Sequence, residues 1–107
     1  MSRKRLNFDP QYVDLLRNGE KKSTVRLKTK LKPGDLVDVY AGERRIGVAK
    51  ILEVRFKKLS ELTDTDAKID GFKSLKDLKK ALKRHYGYLP DNTKLSIIYF
   101  RFIDKKS

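Results

Sequence analysis

The chain has 107 residues, which suits one domain with one core and leaves no room for a second. It has no cysteine, a single histidine (His85) and no apolar run long enough to span a bilayer, so a disulfide scaffold, a Cys-based or His-based metal site, a thiol nucleophile and a membrane helix are all excluded. Its 27 Lys plus Arg against 14 Asp plus Glu give a formal charge of +13, a field that draws polyanions toward so small a body.

The N-terminal Met1-Ser2-Arg3-Lys4-Arg5 is basic with no apolar stretch after it. It does not read as a signal peptide, and an intracellular, cytoplasmic location is expected. Residues 6–8 read as a short extended element. Asp9-Pro10 then opens a helix, with Asp9 as the expected cap, Pro10 at the favoured position and Phe8 and Val13 at staple spacing. Tyr12, Val13, Leu15 and Leu16 give it an inward face, and Gly19 ends it.

Alternating apolar residues then predict strands. In 24–28, Val25 and Leu27 point one way and Thr24 and Arg26 the other. Lys32-Pro33-Gly34-Asp35 is a turn, 36–40 a strand and Ala41-Gly42-Glu43 the next turn. Residues 46–56 form a long strand whose apolar phase slips, which predicts a bulge or bend near Lys50. Residues 60–69 make one or two helical turns ending at Asp70-Gly71. Ser74 caps a clearer helix whose inward stripe is Leu75, Leu78, Leu82 and His85. Its outward face carries Lys76, Lys79, Lys80, Lys83 and Arg84. Residues 95–103 are apolar on both faces and read as a central strand. The tail Asp104-Lys105-Lys106-Ser107 is expected to fray. The expected class is α+β: a small, mostly antiparallel β-barrel decorated by two or three helices.

The segment Gly19-Glu20-Lys21-Lys22-Ser23-Thr24-Val25-Arg26 carries the most chemistry. Alternation sets Thr24 and Arg26 on one face, where hydroxyl and guanidinium can hold a phosphate, a carboxylate or a base edge. Lys21 can reach the same space, Lys22 and Ser23 are further candidates for contact, and Ser23 points away if the strand is regular. A solvated basic turn before an ordinary strand is the other reading. The lysines of the clearer helix are candidate phosphate contacts or simply a solvated face. His85 reads as a residue at the core edge. Tyr86 and Tyr88 suit base stacking or packing.

Taken with Phe8-Asp9-Pro10 before it and Lys32-Pro33-Gly34-Asp35 after it, this segment resembles the ASCH family, whose small β-barrel is similar to the PUA fold of RNA-modifying enzymes. The stretch from Leu59-Ser60-Glu61-Leu62 to Asp70-Gly71-Phe72 and the strand Ile97-Ile98-Tyr99-Phe100 match as well. The resemblance covers residues 6–103 and implies RNA binding or RNA-related chemistry by a basic Lys/Thr/Arg cleft. Some family members of this size are amidohydrolases that deacetylate N4-acetylcytidine. That resemblance sets Lys21, Thr24 and Asp70 on their catalytic positions, with aspartate where those enzymes carry glutamate. Thr24 would attack the acetyl carbonyl, Lys21 would take its proton, Asp70 would pass a proton to the leaving nitrogen and Arg26 would orient the substrate. A carboxylate one methylene short lies about 1 Å from its place, a displacement worth on the order of a hundredfold in rate. Three functions are therefore open: RNA binding, nucleoside amide hydrolysis and, ranked below them, RNA cleavage. The expected partner is RNA or a modified nucleoside, with no cofactor, no metal, no membrane and a monomeric chain.

Overall fold

A computed structural model describes residues 3–105. Five strands form one mixed sheet in the order β1-β3-β4-β5-β2. They are β1 (Lys4–Phe8), β2 (Ser23–Arg26), β3 (Leu36–Ala41), β4 (Arg44–Lys58) and β5 (Lys94–Lys105). Only β1 and β3 run parallel; every other pair is antiparallel. The helices are α1 (Val13–Arg17), α2 (Asp64–Ile69) and α3 (Leu75–Tyr86), with short 3-10 turns at Pro10–Tyr12 and Leu59–Glu61. This is the expected α+β, PUA-like architecture, with the sheet curled into a half-barrel.

The curl follows from strand length. A straight strand of 15 residues would run about 50 Å, whereas the molecule measures 37 Å along its longest axis. Strand β4 bends instead: its pairing with β5 shifts register between Val48 and Ala49 and again between Ile51 and Glu53. These two irregularities flank Lys50, where the slipped apolar phase predicts a bend. Gly47 makes the crossing possible. A Cβ there would collide with the backbone oxygen of Asp104 and sit 2.9 Å from the Lys105 Cα. Backbone cannot yield as a side chain does, so Gly47→Ala is expected to destabilise the chain by about 3 kcal/mol or more, read as a lower urea midpoint.

Two apolar clusters lie on opposite faces of β5. Ile98 and Phe100 join Leu6, Leu16, Val37 and Ile51 inside the half-barrel. Leu95 and Ile97 pack with Val25, Leu62, Leu78 and Leu82 beneath α2 and α3. A strand covered on both faces reads as a continuous apolar run, as β5 does.

Several local expectations are corrected. Asp9 makes no side-chain cap; Pro10 leads into a 3-10 turn before α1. Strand β2 stops at Arg26 because the Leu27 amide donates to the Tyr86 hydroxyl (3.3 Å) instead of to a neighbouring strand. His85 is exposed, so the buried stripe of α3 is Leu78 and Leu82, with Leu75 partly covered. Asp104 and Lys105 do not fray: they pair with Val48 and Gly47. Met1, Ser2, Lys106 and Ser107 lie outside the described residues.

Candidate functional site

Strands β1 and β2 are the two ends of the sheet, yet the curl brings them face to face. The Arg26 guanidinium bridges them, Nη2 donating to the Asn7 carbonyl at 2.6 Å. The half-barrel is thus closed at its seam by a side chain rather than by a backbone ladder. A cavity of about 250 Å³ opens at this seam, close to the lower end of small-ligand sites, which begin at about 300 Å³. Phe8, Tyr12, Phe72, Thr24, Lys21 and Asp70 are among its walls, and Arg84, His85 and Tyr86 of α3 line it too.

Lys21 and Asp70 meet because backbone bonds tie their segments together. The Lys21 amide donates to the Leu15 carbonyl (3.0 Å), and the Lys22 amide donates to the carbonyl of Ile69 at the end of α2 (2.9 Å). Asp70 is the C-cap of α2, and Gly71 follows with φ +94, the left-handed conformation that turns the chain away. The Lys21 ammonium then donates to Asp70 Oδ1 and to the Asp70 carbonyl (2.9 Å). Both side chains are only 3% exposed.

Burial shapes the chemistry of this pair. Desolvation pushes Asp70 up from 3.8 to about 6, against the opposing pull of Lys21, the Val25 amide and Arg26. Desolvation also lowers the Lys21 amine, opposed by Asp70 and reinforced by Arg26. Three rings surround the ammonium: Tyr12 at 4.5 Å and Phe8 and Phe72 at 5.4 Å from their centroids. Ring faces stabilise the charged amine and so offset part of its desolvation. Tyr12 itself is pushed up by burial and by the Asp70 charge, with Arg84 opposing.

Thr24 and Arg26 share a face of β2, as alternation requires, and Arg26 Nε donates to Thr24 Oγ1 at 3.0 Å. The guanidinium lies 5.1 Å from the Phe8 ring centroid, and burial lowers its pKa. Lys21, Thr24, Arg26, Asp70 and Arg84 therefore converge on one cavity. The Lys21 ammonium is bonded to Asp70 and Thr24 is bonded to Arg26, so the pocket holds two hydrogen-bonded pairs side by side.

Other sequence candidates do not converge there. Ser23 is fully buried on the opposite face of β2, opposite Tyr99, and its hydroxyl has no protein partner among the described residues. Lys22 is exposed, and so are Lys76, Lys79, Lys80 and Lys83; none of the five lines the cavity. The aromatic wall formed by Phe8, Tyr12 and Phe72 has no signature in the sequence. Spacing gives Phe8 and Tyr12 packing roles, and nothing local in the sequence brings Phe72 beside Tyr12, which it meets edge-on at 6.1 Å. The described residues contain no cluster of His, Cys, Asp or Glu able to hold a metal ion, and no helix among them is long and apolar enough to cross a membrane.

No family model matches the chain, and no curated protein matches it. Solved structures do. An ASCH domain from Lactobacillus crispatus JV V101 superposes with a TM-score of 0.78 at 18% identity, over 86% of this chain and 70% of that one. ASCH from Zymomonas mobilis gives 0.70 at 14% identity, over 94% and 67%. A protein of Enterococcus faecalis V583 described under DUF984 gives 0.74 at 12% identity, over 100% and 84%. At such identities the likeness speaks for the fold, and the fold of this chain is that of the ASCH domains.

Proposed function

We propose that the chain binds RNA, or a nucleoside derived from it, by taking one base into the seam cavity. The observation that carries this reading is the pairing of aromatic walls with a buried donor and acceptor set. Tyr12, Phe8 and Phe72 offer faces or edges for stacking, while Arg26, Lys21, Thr24 and Asp70 offer groups for a base edge. Likeness to ASCH domain structures supports the same reading, and the net charge of +13 supplies the attraction for an anionic partner. Binding of a short single-stranded RNA, followed by fluorescence anisotropy across a salt series, tests it. Affinity should fall steeply as salt rises, and Tyr12→Ala should weaken binding with the fold retained by circular dichroism. Absence of binding at physiological ionic strength sinks the reading.

One observation favours a second activity at the same place. Lys21 and Asp70 form a buried, hydrogen-bonded pair that can take up and return a proton, and Thr24 shares their cavity. In amide hydrolysis, Thr24 Oγ would add to the carbonyl carbon of an acylated base while its proton passes to the Lys21–Asp70 pair. The C–N bond would break as the nitrogen takes a proton from the Lys21–Asp70 pair, and water would then cleave the Thr24 ester to release the acid. Acetate release from N4-acetylcytidine is the assay. Thr24→Ala should abolish it, and Ser23→Ala should leave it unchanged because that hydroxyl is walled off. Equal loss in both variants removes Thr24 from the nucleophile's role.

A further inference from the structure

A second cavity, about 380 Å³, continues along the same seam. The base-sized cavity adjoins Asn7 and Phe8 of β1 and Asp9 just beyond it; the second adjoins Lys4, Arg5 and Leu6 of β1. Across the gap, one adjoins Thr24 to Arg26 and the other adjoins Arg26, Lys28 and Lys30. Arg26 lines both, so a single guanidinium stands between them. From Lys4 to Phe8 the combined cleft runs along about 13 Å of strand at 3.3 Å per residue.

The charges differ between the two compartments. The first holds Asp9 and Asp70 among its walls, whereas among the described residues the second is lined by five cations and no carboxylate. Lys4 is held by Asp35 at 3.1 Å, and the Arg5 guanidinium rests 4.3 Å from the Tyr40 ring centroid. Lys28 and Lys30 are exposed and have no ion-pair partner among the described residues. Cations on both sides of a groove focus potential more than the same charges spread over a convex helix. That is the contrast with Lys76, Lys79, Lys80 and Lys83, which border neither cavity.

We infer that the second compartment is a phosphodiester track, so that the ligand is a single-stranded RNA segment and not a free nucleoside. One base enters the first compartment, its flanking phosphate passes Arg26, and the next phosphates lie between Lys28, Lys30 and Arg5. This rests on the reading that a base occupies the seam cavity. The experiment compares wild type with Lys28→Gln/Lys30→Gln and with Lys79→Gln/Lys80→Gln, using a cytidine-containing RNA hexamer and free cytidine as probes. Losing two phosphate contacts should weaken hexamer binding on the order of tenfold at 0.1 M salt and flatten the slope of log K against log salt by about 1.4. Cytidine affinity of the Lys28/Lys30 variant should stay at the wild-type value, and the Lys79/Lys80 variant should keep the wild-type hexamer slope.

Unchanged hexamer affinity and slope in the Lys28/Lys30 variant, with cytidine still bound by wild type, overturns the track and leaves the base pocket standing. Equal losses in the two double variants overturn it in favour of bulk charge. Failure of wild type to bind either probe removes the base pocket, and the track with it.

Discussion

Lys21→Met should be among the most damaging single changes in this chain, costing about 3–5 kcal/mol of unfolding free energy. The cost arises because the substitution strips a 3%-exposed Asp70 carboxyl of its cation and leaves it buried. A loss of that size corresponds to at least about 12 °C in Tm for a domain near this length. The double variant Lys21→Met/Asp70→Asn should lose less than the two single losses added, since the second change removes the charge that the first exposed. Additive losses in thermal or urea unfolding would show that the two groups are not coupled.

The same pair gives the chain a pH dependence with a definite sign. Asp70 in the folded protein stands at about 6, above its ordinary 3.8, so between those values the native state holds the proton more tightly than the unfolded chain does. Its contribution to stability is therefore fully present below about pH 3.8 and is lost as pH rises through about 6. Asp35, Asp38 and Asp66 act in the opposite sense and in a lower window. Their ion pairs and hydrogen bonds hold them below 3.8, so their contribution is lost only as pH falls below that value. In Asp70→Asn the decline between pH 4 and 7 should disappear, and the difference in unfolding free energy between wild type and variant should shrink across that range.

Arg26→Ala should have the largest effect on ligand binding. The guanidinium orients Thr24, joins the edges of β1 and β2 and lines both compartments of the seam. Its removal should cost about 1–3 kcal/mol of RNA affinity, on the order of tenfold to a hundredfold. Arg26→Lys should not restore it, because an ammonium cannot reach Asn7 and Thr24 at once as the planar fork does. Full rescue by lysine would mean that only a positive charge is needed there.

Much of this was legible in the sequence because it depends on local pattern. The parity of Thr24 and Arg26, the phase slip around Lys50 and the two-faced run of β5 all follow from strand periodicity. The Lys21–Asp70 contact was reachable only through a family resemblance, since 49 residues separate the two and a backbone bond from Lys22 to Ile69 brings them together. The seam itself left no trace. Which strands end up as edges, and that they face each other, depends on the curl of the sheet. The dense lysines of α3 are the obvious cations in the sequence, whereas the cations around the second cavity, Arg5, Arg26, Lys28 and Lys30, are scattered over two edge strands and one loop. Ser23 and Thr24 look interchangeable as letters, and only the strand's two faces separate a walled-off hydroxyl from one at a cavity.

Entry of a base into the seam between β1 and β2 can be observed residue by residue. An NMR titration of the nitrogen-15-labelled chain with a short single-stranded RNA tests it most directly. The largest amide shifts should fall at Phe8, Thr24, Val25, Arg26 and Gly71, with smaller shifts at Lys28 and Lys30. Shifts confined to Lys76, Lys79, Lys80 and Lys83 on the outer face of α3, with the seam residues unmoved, would contradict it.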